Sequence, residues 1–227
     1  MSQVAGKKKK VTRIVCFGLG DLDFKPPDWW RMGNNSKPGH EQEAETCVTE
    51  GALTHHAIAL TMASVARASF GAGDTGGVRL LTQDPRYSDE SKELLRELGF
   101  EVVEDHGAGG FAEVDDESVV FSAFANVPFT QIITDLARPA VIICARGTSA
   151  TVYCVRSSRV CIQSQSSFHF YDCVPNICPR KLWGDPGSPR TKQMWKRYKS
   201  FDFPVPPEDA KLEGSLQQLA IRAKIEK

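Results

Sequence analysis

Along this chain, short apolar runs alternate with stretches in which apolar residues return every three or four positions, a pattern that predicts strands alternating with helices. The first run, Val11-Thr12-Arg13-Ile14-Val15-Cys16-Phe17, is β-branched and mostly apolar, and it stops at Gly18-Leu19-Gly20. That is a strand ending in a tight turn. Residues 21–50 carry Pro26, Pro27, Trp29, Trp30, Gly33, Pro38 and Gly39 without a sustained period, so they read as a long inserted loop whose Trp29-Trp30 pair needs a surface to pack on. Leu53 to Phe70 is alanine-rich, with Ile58, Met62, Val65 and Ala66 at helical spacing and Gly71 as the stop. Val78 to Thr82 forms a second strand closed by Gln83-Asp84-Pro85. Ser88 or Asp89 then caps a helix through Leu98, with Leu94, Leu95 and Leu98 facing inward and Gly99 ending it.

Phe100 to Val103 makes a third strand, His106 to Gly110 a glycine-rich loop, and Val119 to Phe124 a fourth strand. Pro128 opens a helix carried by Phe129, Ile132, Ile133 and Leu136, which Arg138-Pro139 terminates before a fifth strand, Ala140 to Cys144. These strands are apolar throughout instead of at every second residue, which implies a parallel sheet with both faces covered. The expected fold is a Rossmann-like α/β sandwich: a mostly parallel sheet with helices on both faces. Residues 1–10 form a basic flexible tail in front of a core at 11–146. In the C-terminal segment, 182–227, Trp195, Tyr198 and Phe201 recur at helical intervals and are expected to anchor it to the core. Leu216, Leu219, Ala220 and Ile221 mark a last amphipathic element, either a helix or an edge strand.

Between core and C-terminal segment, residues 147–181 break the pattern: only Asp172 is acidic, serines cluster, and Cys154, Cys161, Cys173 and Cys178 supply four of the seven cysteines. A zinc site there, with His169 as a further ligand, would lack any Cys-x-x-Cys pair, so no metal is assigned. The segment reads as a flexible excursion or as a retained intron translated in frame. Sequencing of the mature transcript decides between them.

Charge narrows the partners. Lysine plus arginine equals aspartate plus glutamate at 28 each, so nothing overall favours nucleic acid or an anionic membrane. The basic run Lys7 to Lys10 is a solvated tail or a nuclear import signal. No apolar stretch approaches the length of a membrane span or a signal peptide, and seven cysteines at irregular spacings argue for reduced thiols in cytosol or nucleus.

In parallel α/β sheets, ligands gather beyond the carboxyl ends of the strands. Gly18 and Gly20 sit there, although the dinucleotide fingerprint is absent: Asp21 follows, and a long loop precedes the helix. Asp84, after the second strand, holds the position from which an acidic residue accepts ribose hydroxyls, or it is a turn aspartate before proline. His55 and His56, opening the first long helix, are anion contacts, a general base, or helix histidines bonded to nearby carbonyls. Asn126 shares the rim and also suits the cap of the helix at Pro128. No Asp, Ser or Cys stands at a recognisable catalytic spacing from these histidines, and no motif specifies a cofactor.

Several stretches together resemble the Sensitivity-to-Red-Light-Reduced-like (SRR-like) family in the style of its fungal members. They are Ile14-Val15-Cys16-Phe17-Gly18-Leu19-Gly20, His55-His56-Ala57-Ile58-Ala59-Leu60, Gln83-Asp84-Pro85-Arg86-Tyr87, Leu94-Leu95-Arg96-Glu97-Leu98-Gly99-Phe100 and Asp135-Leu136-Ala137-Arg138-Pro139-Ala140. The resemblance spans about Val11 to Arg146. It implies the α/β fold and a regulatory role, in circadian or light signalling or in control of haem synthesis, and it supplies no catalytic residues. The expected function is that of an intracellular regulator or adaptor with a protein partner. The alternative is a nucleotide- or S-adenosylmethionine-dependent enzyme or sensor using the glycine turn and Asp84.

Overall fold

Five strands, β1 (Arg13–Phe17), β2 (Arg79–Gln83), β3 (Glu101–Val102), β4 (Ser118–Ser122) and β5 (Val141–Ala145), pair in parallel in the order β3-β2-β1-β4-β5 in the computed structural model. The structure describes residues 10–23, 40–69, 77–104, 106–123, 125, 127–146, 160–164, 167–171, 187–205, 216 and 219–225, with the backbone alone at 40–49, 160–164 and 167–171. Two further strands complete one seven-stranded sheet: β9 (Leu219–Lys224) lies antiparallel beside β5, and β8 (Tyr198–Asp202) antiparallel beside β9. A separate hairpin pairs β6 (Val160–Ser164) with β7 (Ser167–Tyr171).

Register explains why apolar residues fill consecutive positions at the strand centres, as in Ile14-Val15-Cys16 and Val119-Val120-Phe121. Val15, Leu81, Val120 and Ile142 lie side by side across four strands and point to one face, while Cys16, Thr82, Phe121 and Ile143 form the next row and point to the other. Helices cover both faces, so neither row meets water. The row with Phe121 and Ile143 packs under α1 (His40–Ala68) and α2 (Asp89–Glu97), and the row with Val15 and Val120 packs under α4 (Phe129–Leu136) and α5 (Pro189–Trp195), with Phe111 of the short α3 (Gly109–Ala112) beside them. Phe111 stacks on Phe17 with ring centroids 4.4 Å apart.

Several expectations are corrected. Helix α1 begins at His40, well before Leu53: residues 40–50 hold four glutamates with Gln42 and Ala44, good helix formers that carry no apolar period. His55 and His56 therefore sit inside the helix. The face of α1 turned to the sheet consists of Ala52, His55, His56, Ala59 and Ala63, whereas Val65 is exposed; small alanines let the helix axis approach the strands closely, and Ile58 and Met62 pack along the edges of that face. In α2, Ser88 and not Asp89 is the N-cap, accepting from Ser91 N–H at 3.2 Å, and only Leu95 of the three leucines is buried. Ser91 and Leu95 define the inner stripe, and Leu94 and Leu98 flank it.

The spacing of Trp195, Tyr198 and Phe201 is not that of one helix: Trp195 ends α5, Tyr198 opens β8, and Phe201 is exposed within that strand. The last amphipathic element is a strand, and β9 lies inside the sheet with β8 as the edge. The tail before Lys10, the Trp29-Trp30 pair, Asn126, and the side chains of Cys154, Cys161, His169, Cys173 and Cys178 lie outside the described residues.

Candidate functional site at the strand ends

Because β1 and β2 are parallel and in register, their carboxyl ends emerge side by side, and the turns that follow, Gly18-Leu19-Gly20 and Asp84-Pro85-Arg86, meet. Gly18 and Gly20 adopt φ of 62° and 92°, the left-handed region open to glycine. A Cβ on Gly20 would also stand 3.0 Å from the Ala52 side chain, so α1 closes directly over the turn.

Asp84, 3% exposed, ties the two turns together. Its carboxylate accepts from the Gly20 N–H at 3.0 Å and from the Arg86 N–H at 3.0 Å, one oxygen each. The Gly18 N–H donates to the Gln83 carbonyl at 3.1 Å. Asp21 accepts from the backbone and hydroxyl of Ser88, joining the glycine turn to the start of α2. The Gln83 side chain reaches the opposite way, accepting from the Gly110 N–H and donating to the Glu104 carbonyl at 2.8 Å, and so fixes α3.

The two histidines enter from α1 and are buried. His56 Nδ1 lies 2.7 Å from the Ala52 carbonyl, an acceptor only, so Nδ1 carries the proton. In the neutral ring Nε2 is then an acceptor for the Tyr87 hydroxyl at 3.0 Å, and Tyr87 in turn accepts from Thr82 Oγ1 at 2.7 Å. Thr82, Tyr87, His56 and Ala52 thus form one directed chain of hydrogen bonds. Burial lowers the pKa of His56, opposed by the Ala52 carbonyl and by Asp84 and Asp21. His55 packs edge-on against Phe121, and burial lowers its pKa to about 4 against a hydrogen bond to the Leu19 backbone. Tyr87 is pushed well above its ordinary range by burial, and so is Cys16 beneath the turn. Among the described residues of this rim Asp84 is the buried carboxylate, held by backbone amides and with Arg86 Nε 3.5 Å away.

Of the six residues singled out in the sequence, Gly18, Gly20, His55, His56 and Asp84 converge on one rim, and Asn126 lies outside the described residues. Pattern reading missed Thr82, Gln83, Tyr87 and Ser88 as members of the network. The signal was present in the Gln83 to Tyr87 run, but a role for Tyr87 needs the helix that brings His56 to it. Among the described residues no cluster of His, Cys, Asp and Glu has the makings of a metal site, and no helix is long and apolar enough to cross a membrane.

Comparison with known proteins returns one family. No curated protein and no solved structure matches the chain. A family model described as the SRR1 domain matches residues 1–178, which takes in all five parallel strands, the glycine turn, the paired histidines and the Gln83 to Tyr87 run. The chain belongs to the SRR1 domain family.

Proposed function

We propose that this chain is a regulatory or adaptor domain, acting in cytosol or nucleus, whose strand-end rim serves to hold the fold and present its surface. The family resemblance extends this to circadian, light or haem-synthesis regulation. One observation carries the reading: the groups that a phosphate or ribose would need, the Gly18 and Gly20 amides and the Asp84 carboxylate, are all hydrogen-bonded to the chain itself. An anion at a glycine turn is held by free amides, and ribose by a carboxylate turned outward; Gly18, Gly20 and Asp84 instead direct these groups to partners within the fold. His55 and His56 are buried and neutral, which suits packing better than proton transfer to a bound molecule.

The second reading, a nucleotide- or S-adenosylmethionine-dependent enzyme or sensor, draws on topology. The strand order reverses between β1 and β4, and Asp84 follows β2, where cofactor-binding sheets place their ribose acceptor. Thermal-shift measurement against nucleotides, adenosylmethionine, haem and flavins separates the two. A ligand at a hundred times its dissociation constant stabilises by about 2.7 kcal/mol. The adaptor reading expects no shift with any of them, and a shift that disappears in a folded Asp84→Asn variant would replace it with the second reading.

A further inference from the structure

Strand β8 is the outer strand of the sheet: one side bonds to β9, and among the described residues no strand pairs with the other side. Which backbone groups face outward can be deduced. The Ile225 N–H donates to the Arg197 carbonyl at 2.8 Å, making 197 and 225 a hydrogen-bonded pair. Bonded pairs alternate along an antiparallel ladder, so Lys199 and Phe201 direct their backbone groups to β9, and Tyr198, Ser200 and Asp202 direct theirs away. Residues 199–202 are exposed, Phe201 at 45%, and the Lys199 ammonium lies 5.2 Å from the centre of its own Phe201 ring.

We propose that two copies of this chain pair antiparallel along the free edge of β8, joining their sheets across a two-fold axis at Ser200. The outward groups belong to 198, 200 and 202 in both copies, so bonded pairs must be drawn from that set. Placing Ser200 opposite itself sets Tyr198 opposite Asp202 and uses the whole strand. A slip of two residues one way brings Pro204, which has no N–H, into a bonded position. The opposite slip sets Asp202 against Lys196, which is helical at φ −62° and ψ −16°.

In the centred register Lys199 of each copy lies directly opposite Phe201 of the other. Both sit on one face at the close spacing of a non-bonded pair, so each cation gains a second aromatic ring. Lysine on an edge strand ordinarily discourages pairing by repelling a like strand. Here the two lysines fall on the diagonal, with the aromatic rings between them. A second copy supplies this match twice, once on each side of the axis, which is why it is the occupant. The proposal goes beyond the adaptor reading and does not depend on it.

Sedimentation equilibrium on the full chain, from about 1 to about 200 μM, is the test. The expectation is a concentration-dependent monomer–dimer equilibrium. Ser200→Pro removes the N–H at the axis while leaving the bonds to β9, and should yield monomer. Should that variant misfold, two others decide. Phe201→Lys sets like charges opposite each other and should weaken association by about tenfold or more, whereas Phe201→Glu sets a carboxylate opposite Lys199 and should hold it within about threefold. A wild-type chain monomeric throughout overturns the proposal. So does a dimer indifferent to Phe201→Lys, or one lost equally in both Phe201 variants, which would mean a contact through the ring alone.

Discussion

At the amino-terminal ends of β1, β2 and β3, Arg79 binds Glu101 at 2.7 Å and Glu113 at 2.8 Å, and Arg13 reaches Glu113 and Asp115 at 3.2 and 3.3 Å. Most of these side chains are about a third or more exposed. At the carboxyl ends of the same strands the buried Asp84 carboxylate, two neutral histidines and a tyrosine are joined by hydrogen bonds to backbone or to one another. The strands are common to both ends, so the difference isolates the effect of solvent. In water an ion pair exchanges one good set of partners for another and gains little; away from water each unmet donor or acceptor costs free energy in full. The exposed end should tolerate loss of a partner, and the buried end should not.

Asp84→Ala gives the largest expected effect. It leaves the Gly20 and Arg86 amides without their acceptor, and chemical denaturation should show a loss of about 3 kcal/mol. A loss below about 1 kcal/mol would mean that water reaches the turn and that the contrast between the two ends is wrong. Acid comes next. The folded-state pKa of His55 is lowered from 6.5 to about 4 by burial. A group with a depressed pKa binds its proton more readily when unfolded, so its contribution is intact above pH 6.5 and disappears as pH falls towards 4. The loss amounts to about 3 kcal/mol at most, since His55 is almost fully buried, and His56 adds in the same direction. Denaturation curves at stepped pH should therefore fall more steeply across this window for wild type than for His55→Gln; equal slopes would assign the acid sensitivity elsewhere. Arg79→Ala is the smallest effect, below about 1 kcal/mol and vanishing at high salt, because exposed pairs are screened. A larger, salt-independent loss would show that the amino-terminal network acts as a buried one.

How much of this was legible beforehand follows from which signals are local. The five parallel strands are written in short β-branched runs, the glycine turn in Gly18 and Gly20, and the start of α2 in Ser88, because each depends on neighbours a few residues away. The first turns of α1 are not legible because residues 40–50 carry Glu, Gln and Ala without an apolar period, and a helix is read from sequence chiefly by that period. Leucine at helical spacing points Leu94 and Leu98 inward, yet a nine-residue helix offers the sheet only the narrow line through Ser91 and Leu95. The same ambiguity of a three-residue period merged α5 and β8 into one helix.

Fold class and family are legible in the chain, since its order of apolar runs and turn residues encodes a parallel α/β sheet with little help from distant contacts, and the same logic singles out Gly18, Gly20, His55, His56 and Asp84. What those residues touch depends on contacts between distant parts of the chain. The Asp84 carboxylate meets the Gly20 amide across 64 positions of chain, and His56 meets Tyr87 across 31. Whether such groups face a ligand or each other depends on how closely α1 settles on the sheet. That depth is set by the packing of Ala52, Ala59 and Ala63, and it has no signature in any short stretch of sequence.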